Sequence, residues 1–80
     1  MRIKVKPFAR TRTIIGQNEL ELELQNGATV GDAFDILVKR FPELTELKSI
    51  QFSVNLEYSD PSAELHDGDE LALIPPVSGG

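Results

Sequence analysis

The chain contains no cysteine. That absence excludes a disulfide, and with it any chemistry that uses a thiolate as nucleophile, redox centre or metal ligand. Tryptophan is also missing, and His66 is the single histidine. Zinc sites take three or four nitrogen or sulfur ligands, so a zinc-dependent hydrolase is not expected. A lone imidazole in a turn has no partner to activate, and a Ser-His-Asp arrangement would need a substrate cleft that eighty residues leave little room for. No apolar run approaches the roughly 20 residues needed to cross a bilayer. The opening Met1 to Lys6 alternates charge where a signal peptide is continuously apolar, so no membrane association and a cytoplasmic location are expected. Gly27 and Gly31 flank a helix start without the lysine of a phosphate-cradling loop. The five aromatic residues are too few for a base-stacking platform.

What is present is one domain's worth of ordinary globular sequence, 40% apolar and 26% charged. The net charge of -5 is unevenly distributed, because Arg2, Lys4, Lys6, Arg10 and Arg12 precede all thirteen carboxylates. An acidic chain lacks the dense basic surface that displaces counterions from nucleic acid, and it suits a basic patch on another protein. Asp67-Gly68-Asp69-Glu70 lacks the twelve-residue ligand spacing of a calcium loop and reads as a turn.

Ile3 and Val5 alternate with Arg2, Lys4 and Lys6, which is the period of a strand with one face buried. Leu20, Leu22 and Leu24 alternate with Glu19, Glu21 and Glu23 in the same way, and Asn26-Gly27 ends the run. The complementary charges predict an antiparallel pair, with residues 9 to 18 as loop and strand ends between them. Thr29 and Asp32 form a capping box, and Val30, Ala33, Phe34, Leu37, Val38 and Phe41 recur at helical spacing up to Pro42. Leu44 and Leu47 suit a short turn of helix beyond it.

Ile50, Phe52, Val54, Leu56 and Tyr58 alternate as a further strand, with a turn near Asn55. Leu65 to Asp69 has the form of a hairpin turn. Leu71-Ala72-Leu73-Ile74 is continuously apolar, which predicts a central strand covered on both faces. This order of strands around one main helix predicts an α+β fold of β-grasp type, with a mixed four- to five-stranded sheet over residues 1–74 and a tail over 75–80.

The tail itself is Pro75-Pro76-Val77-Ser78-Gly79-Gly80. Two prolines cannot extend a sheet and favour a stiff, extended form. Residues without Cβ let a backbone enter a narrow channel. A terminal carboxylate is ionised at neutral pH and is a poor electrophile until another enzyme activates it, for instance by attaching AMP. The carboxylate of Gly80 is therefore the reactive group to expect.

Val54-Asn55-Leu56-Glu57-Tyr58, the block from Leu65 to Gly80, and the upstream Lys4 to Ala9 and Arg12 to Gly16 together resemble the MoaD/ThiS-type sulfur carriers. The likeness is greatest to the branch that serves molybdopterin synthase. Thr11 and Thr13 depart from the Leu and Glu usual there. The resemblance implies that Gly80 is adenylated by an ATP-dependent activating enzyme and converted to a thiocarboxylate by a sulfur donor protein. It also implies that residues Pro75 to Gly80 enter the large subunit of a heterotetrameric molybdopterin synthase, where the dithiolene of molybdopterin is built. On this reading the chain itself binds no cofactor or metal. Phe8, Leu65 and Ile74 would dock on the partners, with core packing the alternative for each. A carrier for thiazole synthesis or tRNA thiolation, a ubiquitin-like modifier joined to lysines through Gly80, and a plain interaction module remain the other readings of such an ending.

Overall fold

In the computed structural model, residues 1–76 are described, and they form one five-stranded sheet with two helices on a single face. The strands are β1 (Arg2–Pro7), β2 (Leu20–Glu23), β3 (Gln51–Val54), β4 (Glu57–Ser59) and β5 (Glu70–Ile74). Their order is β2-β1-β5-β3-β4, with β1 and β5 parallel and the remaining pairs antiparallel. The sheet is thus mixed, and the strand that leads to the tail lies at its centre.

The β1–β2 pair forms as its charges predict, with Arg2 opposite Glu23 and Lys4 opposite Glu21. Arg2 reaches the Glu23 carboxylate at 2.9 Å, and Lys4 reaches Glu19 at 3.4 Å. The Arg2 guanidinium is held above its ordinary pKa, chiefly by the hydrogen bond to Glu23 and then by the charges of Glu23 and Glu21. These exposed pairs contribute little to stability. The hydrophobic pattern sets the register, since Ile3, Val5, Leu20 and Leu22 are all buried on the inner face.

Helix α2 (Val30–Arg40) begins where its capping residues predict. The Thr29 amide donates to the Asp32 carboxylate at 2.9 Å, and the Asp32 amide donates to the Thr29 hydroxyl at 3.2 Å. Val30, Ala33 and Leu37 enter the core, and Phe34 meets Phe52 edge-on with ring centroids 5.3 Å apart. A 3₁₀ turn over Pro42–Glu46 follows and buries Leu44. Among the described residues no helix is long and apolar enough to cross a membrane.

Three expectations are corrected. Residues 9 to 18 are not simply loop, because α1 (Ala9–Ile15) forms there and ends at Gly16 in the left-handed region at φ 79°. Its stabilising contacts lie far along the chain: Thr11 and Ile15 are buried against other elements, and so short a helix has little signal of its own. Next, β5 is central but not covered on both faces. Leu71 and Leu73 are fully buried under the helices, whereas Ala72 and Ile74 are half-buried on the open face. A run of four apolar residues cannot by itself distinguish one covered face from two.

The third correction concerns Asp67-Gly68, which does not join a hairpin. The residue before this turn's arm, Glu64, makes only an isolated bridge to Thr29, and β5 pairs instead with β1 and β3. The turn fastens to the start of β1: the Arg2 amide donates to the Asp67 carboxylate at 2.8 Å, the Gly68 amide to the Arg2 carbonyl at 2.8 Å, and the Lys4 amide to the Asp69 carbonyl at 2.9 Å. Gly68 sits at φ 85°, a conformation a Cβ disfavours. The arrangement starts β5 beside β1 in parallel register.

Candidate functional site

The site is the place where the chain leaves the sheet. Strand β5 runs between β1 and β3 and ends with Leu73 opposite Pro7 and Ile74 opposite Gln51. Pro75 is still buried and Pro76 is exposed. Val77, Ser78, Gly79 and Gly80 lie outside the described residues.

A corner of polar contacts braces this exit. The Phe8 amide donates to the Leu73 carbonyl at 3.1 Å and to the Thr11 hydroxyl at 2.8 Å. The Thr11 hydroxyl lies 2.6 Å from the Phe8 carbonyl, its nearer acceptor, and 3.2 Å from the Leu73 carbonyl. Thr11 is wholly buried, so its hydroxyl must find such partners inside the protein. Ala9 adopts φ 51° directly after Phe8, turning the chain sharply from β1 into α1. Thr11 therefore ties α1 to the last part of β5.

Side-chain alternation then sorts the expected docking residues. Continuing the β1–β5 register by one places Phe8 beside Ile74, on the open face with Lys6 and Ala72. Phe8 is 46% exposed and Ile74 is half-buried, so both are accessible at the root of the tail. Leu65 is not. It is 1% exposed and belongs to the core, with its amide bonded to the Ala28 carbonyl at 2.9 Å. Its assignment to docking is overturned, and the core alternative holds for it.

The open face also presents a residue that the sequence pattern had grouped with the core or sheet surface. Tyr58 is 73% exposed. It pairs with Ser53, which pairs with Ala72, so a line of side chains crosses the open face from β4 to β5. The missed signal is one of parity. Val54 pairs with Glu57 across a two-residue loop, so even-numbered residues of β3 share a face with odd-numbered residues of β4. Reading the alternation of Phe52 and Val54 straight on through Leu56 and Tyr58 reverses the faces. Had the Asn55 turn been given two residues, Tyr58 would have been placed outward.

The open face is accordingly divided. Beside β2 it carries the Arg2–Glu23 and Lys4–Glu19 pairs, and Lys6 meets Glu70 at 3.5 Å. Toward β4 and the tail it carries Phe8, Ala72, Ile74 and Tyr58. A cleft of about 520 Å³ lined by Ile50, Gln51, Phe52, Tyr58, Ser59, Asp60 and Pro61 opens next to the end of β5. Among the described residues no group of three His, Asp or Glu side chains is placed to hold a metal ion. His66 is exposed and lies 3.5 Å from Glu64 and 3.8 Å from Asp69, without a neighbouring nucleophile.

A mixed sheet in this order, wrapped around one main helix and led out through its central strand, defines a ubiquitin-like β-grasp domain. Within that class the chain belongs to the ThiS family, which matches residues 5–80. It is 44% identical over 79 residues to the molybdopterin synthase sulfur carrier subunit of Arabidopsis thaliana, covering 98% of this chain and 82% of that one. It is 42% identical over 83 residues to the subunit of the same name from Chlamydomonas reinhardtii, across the whole of both chains. Among solved structures, the crystal structure of small archaeal modifier protein 1 from Haloferax volcanii superposes with a TM-score of 0.89, at 34% identity over the full length of both.

Proposed function

We propose that this chain is the sulfur carrier subunit of a molybdopterin synthase, with the Gly80 carboxylate as the group that carries sulfur. The observation that bears most weight is full-length similarity to carriers of that name, joined to a central strand that ends at Ile74 and is followed by Pro75-Pro76-Val77-Ser78-Gly79-Gly80. The chemistry needs three partners. An ATP-dependent activating enzyme joins the Gly80 carboxylate oxygen to AMP and releases pyrophosphate. The terminal sulfur of a donor protein's persulfide then attacks the Gly80 carbonyl and expels AMP, and a thiol reductant cleaves the acyl disulfide so formed, leaving a thiocarboxylate on Gly80 and a free thiol on the donor.

In the last step Pro75 to Gly80 enter the large subunit, where the thiocarboxylate gives its sulfur to the pterin precursor and hydrolysis returns the carboxylate. The carrier provides the nucleophilic sulfur and its delivery. The precursor pocket and the catalytic residues lie in the large subunit, and the ATP site lies in the activating enzyme. Phe8, Ile74 and Tyr58 form the apolar surface that both partners meet at the tail root. Proline stiffness and side chains no larger than Val77 suit the tail to a narrow channel.

The test is incubation with the activating enzyme, ATP and a sulfur donor, read by intact mass. Replacement of one oxygen by sulfur on the last residue is expected. The charged protein, mixed with a large subunit and precursor, should then yield molybdopterin. No mass change under conditions that charge a related carrier sinks the reading.

A second reading, a protein modifier joined to lysines through Gly80, is favoured by the likeness to small archaeal modifier protein 1. The same activated carboxylate serves both uses. Conjugates of higher mass that persist in denaturing, reducing gels would support it.

A further inference from the structure

Leu56 is 90% exposed, more than either other large exposed hydrophobic, Phe8 or Tyr58. It also occupies a conformation that leucine disfavours. Asn55 and Leu56 form the two-residue loop between β3 and β4, at φ 51° and 72°. Two positive φ values define the type I′ hairpin turn, whose second position is ordinarily glycine. A Cβ there crowds the following carbonyl oxygen, so leucine at this position carries strain and gains no burial from its own chain.

Asn55 has a local reason to be where it is. Its amide donates to the Glu70 carbonyl at 2.9 Å, its side-chain carbonyl accepts from the Glu70 amide at 3.0 Å, and its side-chain amino group donates to the Asp69 carboxylate at 2.9 Å. Those three bonds fix the turn to the start of β5. Leu56 has no comparable tie. It is a fixed apolar prong, already in place before any partner arrives, and fixing an anchor beforehand lowers the ordering cost of binding. Strain at an exposed and otherwise unused position points to function more readily than to folding.

We infer that Leu56 is an anchor that enters an apolar recess, rimmed by cations, on the large subunit that receives the tail. The charge follows from the neighbours, since the exposed Glu57 comes next in the chain and the Asp69 carboxylate accepts from the Asn55 side chain at 2.9 Å. The choice of occupant follows from continuity. Leu56 is two residues from Tyr58, whose ring stands on the open face that leads to Ile74 and the tail, so one partner covering the tail root and β4 reaches the hairpin tip. A second copy of this chain is disfavoured, because it would bring a like-charged rim to the same place. The inference rests on the reading of the chain as a sulfur carrier.

The experiment compares Leu56→Asn and Leu56→Gly with the unaltered chain. Both replacements tolerate positive φ. Three quantities are read: melting temperature, thiocarboxylate formation by intact mass, and affinity for the purified large subunit by surface plasmon resonance. The expected result is a melting temperature at or above that of the unaltered chain, unchanged charging, and affinity weaker by roughly ten-fold. Affinity within about two-fold of the unaltered chain overturns the anchor. So does a lower melting temperature, which would give Leu56 a role in the fold, and so does lost charging, which would assign it to the activating enzyme. If the unaltered chain neither charges nor binds, the sulfur-carrier reading fails along with the anchor.

Discussion

Thr11 and Leu73 stand 62 positions apart, and the buried Thr11 hydroxyl lies 3.2 Å from the Leu73 carbonyl. Through this contact the first helix of the chain braces the last inward-facing residue of the central strand, immediately before the tail. The same hydroxyl accepts from the Phe8 amide at 2.8 Å, so one side chain organises both the exit of the tail and the exposed phenylalanine beside it.

Replacing Thr11 by valine keeps the volume and removes those bonds. The Phe8 amide retains only its longer contact to Leu73, and the Phe8 carbonyl loses the hydroxyl's single proton. A loss of about 1 to 3 kcal/mol in unfolding free energy is expected by urea denaturation. An unchanged midpoint would show that the hydroxyl contributes nothing at this corner.

Leu65 and the open-face residues separate by the same measurement. Leu65→Ala empties a fully packed site and is expected to cost about 2 to 5 kcal/mol. Phe8→Ala and Tyr58→Ala remove exposed rings and are expected to cost under about 1 kcal/mol. Sulfur transfer with the large subunit should respond in the opposite order, with Phe8→Ala and Tyr58→Ala reducing it while the chain remains folded. Equal destabilisation by all three would contradict the division between core and docking surface.

Gly68→Ala tests the turn that seats β5 beside β1. No atom stands within 4 Å of the Cβ this change adds, so the cost comes from holding alanine at φ 85°. About 1 kcal/mol is expected. Thermal melting should fall by a few degrees, and a rise would mean the turn relaxes to another conformation without loss of the sheet.

Removing Gly79 and Gly80 separates chemistry from folding. Strand β5 ends at Ile74, ahead of the residues removed, so the melting temperature is expected to match the full chain. Thiocarboxylate formation should be abolished. Full charging of the shortened chain would place the sulfur elsewhere.

Much of this architecture is written locally. The alternation in Ile3-Lys4-Val5 and in Leu20-Glu21-Leu22, the apolar stripe from Val30 to Leu37, and the Thr29–Asp32 cap depend on side-chain period and hydrogen bonds between near neighbours, so the order of residues is enough to read them.

Other features depend on residues that meet only after the chain has closed on itself. Helix α1 exists because Thr11 and Ile15 find buried partners on distant elements, and seven residues have no such preference strong enough to show alone. Tyr58 becomes surface because pairing across the Asn55 turn reverses the parity of β4, and Leu65 becomes core because its segment bonds back to Ala28, next to the start of α2. Strand β5 keeps one face open because both helices pack on the other. The amino-acid order settled most of the strands and the main helix; long-range pairing settled which apolar residues are left outside, because burial belongs to the whole fold and not to any one segment.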